Sequence, residues 1–130
     1  MHANTWTGTG IGVAILDTGL YPHADFGDRI RGFQDFLGRR PYPYDDSGHG
    51  THVAGILAGD GSACERRYRG IAPGCHLIAA KILDKRGNGR LQDVLRALQG
   101  SQPIRSATGS VLSIFLWALQ QRIPKPPHGW

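Results

Sequence analysis

The sequence has 130 residues, of which 40% are hydrophobic and 19% charged, proportions that are typical of one globular domain and exclude a disordered chain. Its net charge is +5, but the basic residues are scattered, so the charge does not indicate a nucleic-acid-binding surface. The longest apolar run, residues 111–119, is too short to span a membrane. We therefore expect neither a nucleic acid nor a membrane as a partner.

The start of the chain and its two cysteines bear on the cellular compartment. Residues 1–4 lead towards a strand pattern at Gly12 without the basic and apolar regions of a signal peptide, which favours a cytoplasmic location. Cys64 and Cys75 lack the CxxC spacing of redox and metal sites. Because nothing indicates a secreted protein, we predict two free thiols.

The first part of the chain contains a predicted buried strand followed by turns. Residues 12–16 are a continuous apolar run that ends at Asp17-Thr18-Gly19, which is typical of a strand covered on both faces. Residues 20–47 are rich in proline and glycine, and we predict one short strand in them, near Ile30–Phe36.

A helix pattern begins at Gly48. Val53, Ile56 and Leu57 fall on one apolar face, and Ala54, Gly55 and Ala58 are small enough for close packing. Gly59 and the polar residues after it end the helix.

A second strand and a second helix follow. The apolar run His76–Leu83 predicts a buried strand, and Gly87-Asn88-Gly89 predicts a turn. The next helix carries apolar residues at the i, i+3, i+4 and i+7 positions, namely Leu91, Val94, Leu95 and Leu98. Strands that alternate with helices indicate an α/β fold, a parallel sheet flanked by helices.

The composition changes near residue 100. No Asp or Glu follows Asp93, and four of the eight prolines lie between Pro103 and Pro127. We predict a short apolar helix over Val111–Gln121 and place a boundary that separates residues 1–100 from a tail of residues 101–130.

Asp17 and His49 are the residues that carry chemistry. Asp17 follows a predicted parallel strand, and functional groups of α/β sheets collect at the carboxyl ends of the strands. His49 opens a glycine-rich helix, whose N-terminus disfavours a positively charged imidazole unless an acid compensates. A histidine that acts as a base needs a carboxylate to fix its tautomer and stabilise its cation. We therefore predict that Asp17 is the partner of His49.

In the segments around Asp17 and His49 the chain resembles the subtilisin-like serine proteases, the subtilases. The block Val13–Gly19 is similar to the family's Asp signature, and Gly48–Gly55 is similar to its His signature. The resemblance covers roughly residues 8–99 and includes three further segments, 22–26, 68–74 and 81–83. It implies a subtilisin-like α/β domain, present here in its N-terminal part only, and an endopeptidase that acts on polypeptides.

The resemblance also implies a role for individual residues. Asp17 would be the orienting acid, His49 the general base, and His52 a non-catalytic helix residue packed behind the site. Leu83 with Gly87-Asn88-Gly89 would be the strand edge that pairs with an extended peptide substrate. Family members bind structural calcium, and Asp25 matches a position that serves as a ligand, but the other ligands are not identifiable, so no cofactor is assigned.

The family's nucleophile is missing from the sequence. It lies in a Gly-Thr-Ser-x-Ala motif that does not occur in the 130 residues, and Ser110 lacks that context. The Asn that would complete the oxyanion hole has no counterpart either. We therefore expect a chain that is inactive alone, produced by a frameshift or gene truncation near codon 99 or 100, with a divergent C-terminus as the alternative.

Two other functions fit parts of the pattern. Asp17-Thr18-Gly19 also occurs as the Asp-Thr-Gly of dimeric aspartic proteases, but those are all-β proteins. A non-catalytic remnant that binds peptides or a metal is the other alternative, since His49 and His52 are three residues apart on one helix. A zinc site would lack the Glu of HExxH and a third strong ligand.

Overall fold

The computed structural model describes residues 6–99 and the backbone of residues 112–115. The strands are β1 (Gly12–Asp17), β2 (Ile30–Asp35), β3 (His76–Lys81) and β4 (Leu112–Phe115), and the helices are α1 (His49–Ala58) and α2 (Leu91–Leu98). Two short 3-10 helices, Ala24–Phe26 and Ser62–Cys64, lie in the connections. Every element predicted before residue 100 is present, and the α/β fold class is confirmed.

The four strands form one parallel sheet in the order β2-β3-β1-β4. The register places Asp17 at the end of β1 opposite Lys81 of β3, and Lys81 in turn opposite Asp35 of β2. Because the strands are parallel, their carboxyl ends share one edge of the sheet. Lys81 and Asp35 therefore belong to the same edge as Asp17.

Both faces of the sheet are covered. All six residues of β1 are buried, and alternate side chains point to opposite faces. Val13 and Ile15 belong to a core cluster with Ala54 and Ala58 of α1. Ala14 and Leu16 belong to a second cluster with Val94 and Ala97 of α2. The continuous apolar run of β1 is explained by this double coverage.

The apolar face predicted for α1 is only partly buried, whereas two of the small residues expected to pack closely, Ala54 and Ala58, are fully buried. Gly50, Ala54 and Ala58 face the sheet, whereas the Ile56 side chain is 56% exposed. Small residues at intervals of four allow the helix axis to approach β1 closely, and that approach outweighs the preference of a bulky apolar residue for the interior.

Of the predicted apolar face of α2, only Val94 is buried. Asp93, Val94 and Ala97 are buried, and Leu91 is 69% exposed. The carboxylate of Asp93 is held by Arg90 and Arg96, one turn before and after it. Pairing with these arginines explains how an acid can be buried at a position where the apolar pattern predicts no buried residue.

The helix predicted over Val111–Gln121 is wrong where the structure describes it, because Leu112–Phe115 is strand β4, paired in parallel with β1. A short apolar run fits a buried strand as well as a buried helix, so periodicity alone could not decide. The other residues of the predicted tail, including Ser110, lie outside the described residues. Within residues 6–99 and 112–115 no helix has the length and apolarity needed to cross a bilayer. Both cysteines are free, as predicted, with Cys75 buried and Cys64 exposed.

Candidate active site

Asp17 and His49 are in direct contact, as the sequence predicts. His49 Nδ1 lies 2.8 Å from Oδ1 and 3.0 Å from Oδ2 of Asp17. The Asp17 side chain is only 2% exposed, whereas that of His49 is 33% exposed. The carboxylate is therefore shielded from solvent while part of the imidazole can be reached from outside.

Backbone groups of the residues directly after β1 and β3 hold Asp17. Its carbonyl oxygen accepts hydrogen bonds from the N–H groups of Ile82 and Leu83, at 3.0 and 3.2 Å. Its carboxylate Oδ1 accepts from the N–H of Thr18 at 2.6 Å. Both the main chain and the side chain of Asp17 are thus fixed by the fold, with the carboxylate turned towards α1.

Gly50 lets the start of α1 approach Asp17. A β-carbon at position 50 would lie 2.3 Å from the carbonyl oxygen of Gly19 and 3.2 Å from Asp17 Cβ. No ordinary side chain fits in that space, so the residue after His49 is glycine for a steric reason. The close approach brings the imidazole within hydrogen-bonding distance of the carboxylate.

Asp45 connects the loop before α1 to the residue after Asp17. Its Oδ1 accepts from Thr18 Oγ1 at 2.8 Å, and its Oδ2 accepts from the N–H of Thr51 at 2.9 Å. Thr18 Oγ1 in turn accepts from the N–H of Gly50 at 2.9 Å. Burial raises the pKa of Asp45, but hydrogen bonds from Thr51, Gly48 and Thr18 outweigh it and hold the pKa below its usual range.

Lys81 is a fully buried cation at the same edge of the sheet. Its ammonium group donates to the carbonyl oxygens of Thr18 and Leu83 and to Asp46 Oδ1, the last two at 2.8 Å. The ring of Tyr44 lies 5.2 Å from the nitrogen. Three oxygen partners match the three donors of an ammonium group, which explains how the charge is tolerated inside the protein.

The predicted substrate edge adjoins Asp17. Leu83 donates its N–H to the Asp17 carbonyl oxygen and pairs with Gly89 in an antiparallel bridge. Between them, Gly87 and Asn88 lie in a turn held by the Asp84 carboxylate, which accepts from the N–H of Asn88 at 2.9 Å. The four predicted substrate-binding residues are therefore together, directly after the strand that pairs with β1.

His52 does not lie behind the site, and that expectation is wrong. His52 is exposed, because the third residue after His49 points away from the sheet and Gly50, Ala54 and Ala58 occupy the buried side of α1. Within residues 6–99, no group of three or more His, Cys, Asp or Glu side chains is arranged to hold a metal.

Asp25 is the residue at which the family resemblance implies a calcium ligand. Asp25 Oδ1 accepts from the N–H of Ala63 at 2.8 Å, and its carbonyl oxygen accepts from the Arg29 guanidinium at 2.6 Å. One carboxylate oxygen and the carbonyl oxygen of Asp25 are thus engaged with protein donors, and the described residues around it contain no group of three or more His, Cys, Asp or Glu side chains that could hold a metal.

The geometry allows general base catalysis. When Nδ1 of His49 donates its proton to Asp17, the lone pair resides on Nε2, which is the nitrogen that can accept a proton from a nucleophile. The buried carboxylate then stabilises the imidazolium that forms. In a parallel α/β sheet with its Asp held by a His, the aspartic-protease interpretation of Asp17-Thr18-Gly19 does not fit.

Comparison with known proteins agrees with this geometry. The family model described as the subtilase family, Peptidase_S8, matches residues 8–109. The chain belongs to the subtilase family. The serine protease AprX of Bacillus subtilis (strain 168) is 46% identical over 98 residues, which are 75% of this chain and 22% of that protein. Subtilisin Savinase of Lederbergia lenta is 38% identical over 98 residues, 75% of this chain and 35% of that protein.

A solved relative shows the same fold. The CspB protease of Clostridium perfringens superposes with a TM-score of 0.69 at 27% identity, covering 84% of this subtilase chain and 28% of that one. The chain thus spans about a fifth to a third of the length of the relatives it matches. The boundary near residue 100 stays a prediction.

Sequence reasoning missed Asp45 and Lys81. Asp45 stands four residues before the helix start, and an acid just before a helix is a capping signal that could have indicated its contact with Thr51. Lys81 was visible as the one charged residue in an apolar strand. Its partners come from Thr18, Asp46 and Leu83, and their convergence could not be read from one sequence.

Proposed function

We propose that Asp17 and His49 are the acid–base pair of a serine endopeptidase that hydrolyses peptide bonds. The observation that carries the proposal is the contact of His49 Nδ1 with both carboxylate oxygens of Asp17, in a chain of the subtilase family. His49 takes the proton of a serine hydroxyl as the serine attacks the peptide carbonyl, and later gives it to the leaving amine. Asp17 orients the imidazole and stabilises its positive form.

The serine must come from outside the residues that build this pair. The family's Gly-Thr-Ser-x-Ala motif does not occur in the 130 residues, so we expect the chain alone to hydrolyse no peptide. A base without a nucleophile and an oxyanion hole lacks the two groups that form and stabilise the tetrahedral intermediate.

For the substrate we propose an extended polypeptide segment that pairs with the edge at Leu83 and Gly87-Asn88-Gly89. Support comes from the location of this edge, because the Leu83 N–H bonds to the Asp17 carbonyl oxygen and the edge therefore continues from the acid of the pair. Main-chain hydrogen bonds to such an edge provide affinity with little dependence on the peptide's sequence.

The test is a chimera in which residues 8–99 replace the matching segment of Bacillus subtilis AprX, which supplies the missing part. We expect the chimera to cleave a chromogenic peptide and the 130-residue chain alone to be inactive. His49→Ala and Asp17→Ala should lower kcat by about 10⁶-fold and 10⁴-fold, which are the losses that removal of the corresponding side chains causes in subtilisin. His52→Ala is the matched control, an exposed histidine of the same helix that should leave kcat unchanged. A folded but inactive chimera, or an active His49→Ala variant, would refute the proposal.

A further inference from the structure

We infer that Asp45 is a positioning residue that holds His49 and Asp17 in register, an inference that rests on the function proposed above. Asp45 touches neither of the two side chains. It acts through Thr18, which follows Asp17, and through the first turn of α1, which begins at His49.

The carboxylate of Asp45 accepts five hydrogen bonds. Oδ1 accepts from Thr18 Oγ1 and from the N–H groups of Ser47 and Gly48, at 2.8, 3.1 and 2.9 Å. Oδ2 accepts from the N–H and the Oγ1 of Thr51, at 2.9 and 2.6 Å. Two donors lie immediately before His49 in the chain and two lie in the residue two places after it, so one side chain holds the backbone on both sides of the imidazole.

The contact with Thr18 links this helix start to the strand. Thr18 Oγ1 donates to Asp45 and accepts from the N–H of Gly50, while the Thr18 N–H donates to Asp17 Oδ1. Together with the bond from the Thr51 N–H to Asp45, these contacts close a ring of hydrogen bonds between the loop, the end of β1 and the start of α1. Loss of the Asp45 carboxylate removes the hydrogen bonds that hold the start of α1, where His49 lies.

The charge of Asp45 also suits its position. A carboxylate near the N-terminus of a helix interacts favourably with the helix dipole and satisfies N–H groups that have no partner within the helix. Its neighbour Asp46 does not share this task, because Asp46 pairs with Lys81. The two adjacent acids thus serve different elements, and only Asp45 bonds to the segment that contains His49.

The experiment measures two properties of Asp45→Asn and Asp45→Ala. The first is the downfield proton resonance of His49 Nδ1–H in the 130-residue chain, which reports the hydrogen bond to Asp17 without any need for activity. The second is kcat and KM of the AprX chimera. Asparagine keeps one acceptor oxygen and alanine keeps none, so we expect the resonance to weaken and kcat to fall in that order, by about 10-fold and 100-fold, with KM within about twofold.

The control is Asp60→Asn. Asp60 is likewise a carboxylate that caps a loop, accepting from the N–H and the hydroxyl of Ser62, but it contacts no residue of the site among the described contacts. We expect it to leave the resonance, kcat and KM unchanged.

A purely structural role for Asp45 would lower the urea midpoint but leave the Nδ1–H resonance and the kcat per folded molecule intact, and that result would overturn the inference. If Asp45→Ala fails to fold, Asp45→Asn decides by the same criteria. If the chimera with Asp45 intact is folded and inactive, the proposed function fails. The resonance in the 130-residue chain then still decides whether Asp45 positions His49.

Discussion

Replacing Gly50 by alanine should separate His49 from Asp17. The added β-carbon would lie 2.3 Å from the Gly19 carbonyl oxygen, whereas non-bonded heavy atoms are comfortable at about 3.5 Å. Relief requires the start of α1 to retreat by about 1 Å. The Nδ1–Oδ1 distance of 2.8 Å would then exceed the hydrogen-bonding range of about 3.2 Å. We expect a loss of about 1–3 kcal/mol in the free energy of unfolding and about 100-fold in kcat of the AprX chimera.

Gly55→Ala is the matched control for this prediction. Gly55 is in the interior of the same helix, and a β-carbon there would meet no heavy atom within 4 Å. Because alanine is the better helix former, we expect Gly55→Ala to raise the free energy of unfolding by about 0.5–1 kcal/mol. Urea unfolding and the Nδ1–H resonance of His49 measure both variants. A Gly50→Ala protein that is as stable as the parent and keeps the resonance would show that the steric argument is wrong.

Three further predictions concern buried or hydrogen-bonded groups. Lys81→Met should lower the free energy of unfolding by about 3 kcal/mol, because it leaves three oxygens without their donor; an unchanged urea midpoint would contradict this. At Asp35, burial raises the pKa, but hydrogen bonds from the Tyr44 hydroxyl and nearby N–H groups lower it further than burial raises it. The resulting stability is present above the usual carboxyl pKa of about 4 and is lost as pH falls through the lowered value. The free energy of unfolding of Asp35→Asn should therefore decrease less as the pH is lowered, which urea unfolding at successive pH values measures. A dependence on pH equal to that of the parent chain would count against this prediction. Finally, a thiol reagent should label only Cys64 in the native chain, because Cys75 is buried and burial raises its pKa; rapid labelling of both would refute this.

Local sequence signals were sufficient to predict where strands and helices lie up to residue 99. Strand β1 was marked by its unbroken apolar run, and α1 by glycine and polar residues at its ends. In α1 the small residues Ala54 and Ala58 indicated close packing, but the exposure of Ile56 was not predictable in the same way, because it depends on how closely the helix approaches the sheet. That distance is a property of the packed layers, and a helical wheel contains no information about it.

The same limit applies to the candidate site. The pairing of Asp17 with His49 followed from chemistry, since a basic histidine at a helix start needs a carboxylate. The contact of Asp45 with Thr18 joins residues 27 positions apart, and that of Lys81 with Thr18 joins residues 63 apart. Neither follows from residue type or spacing, because the first depends on how the loop before α1 folds back onto the end of β1, and the second on the sheet order that places β1 beside β3.

The described contacts of the acid–base pair come from residues 17–83. The carbonyl oxygen of Asp17 is held by the N–H groups of Ile82 and Leu83, its carboxylate by Thr18 and His49, and the start of α1 by Asp45. The strand that carries Asp17 also pairs with β4 and packs against α2, so these elements support the pair through β1. A serine and an oxyanion hole, by contrast, have to be placed against this pair from elsewhere in the fold. The two experiments therefore report on two different steps. The Nδ1–H resonance in the isolated chain reports on the hydrogen bond between His49 and Asp17. The activity of the chimera reports on proton transfer from the serine to that base.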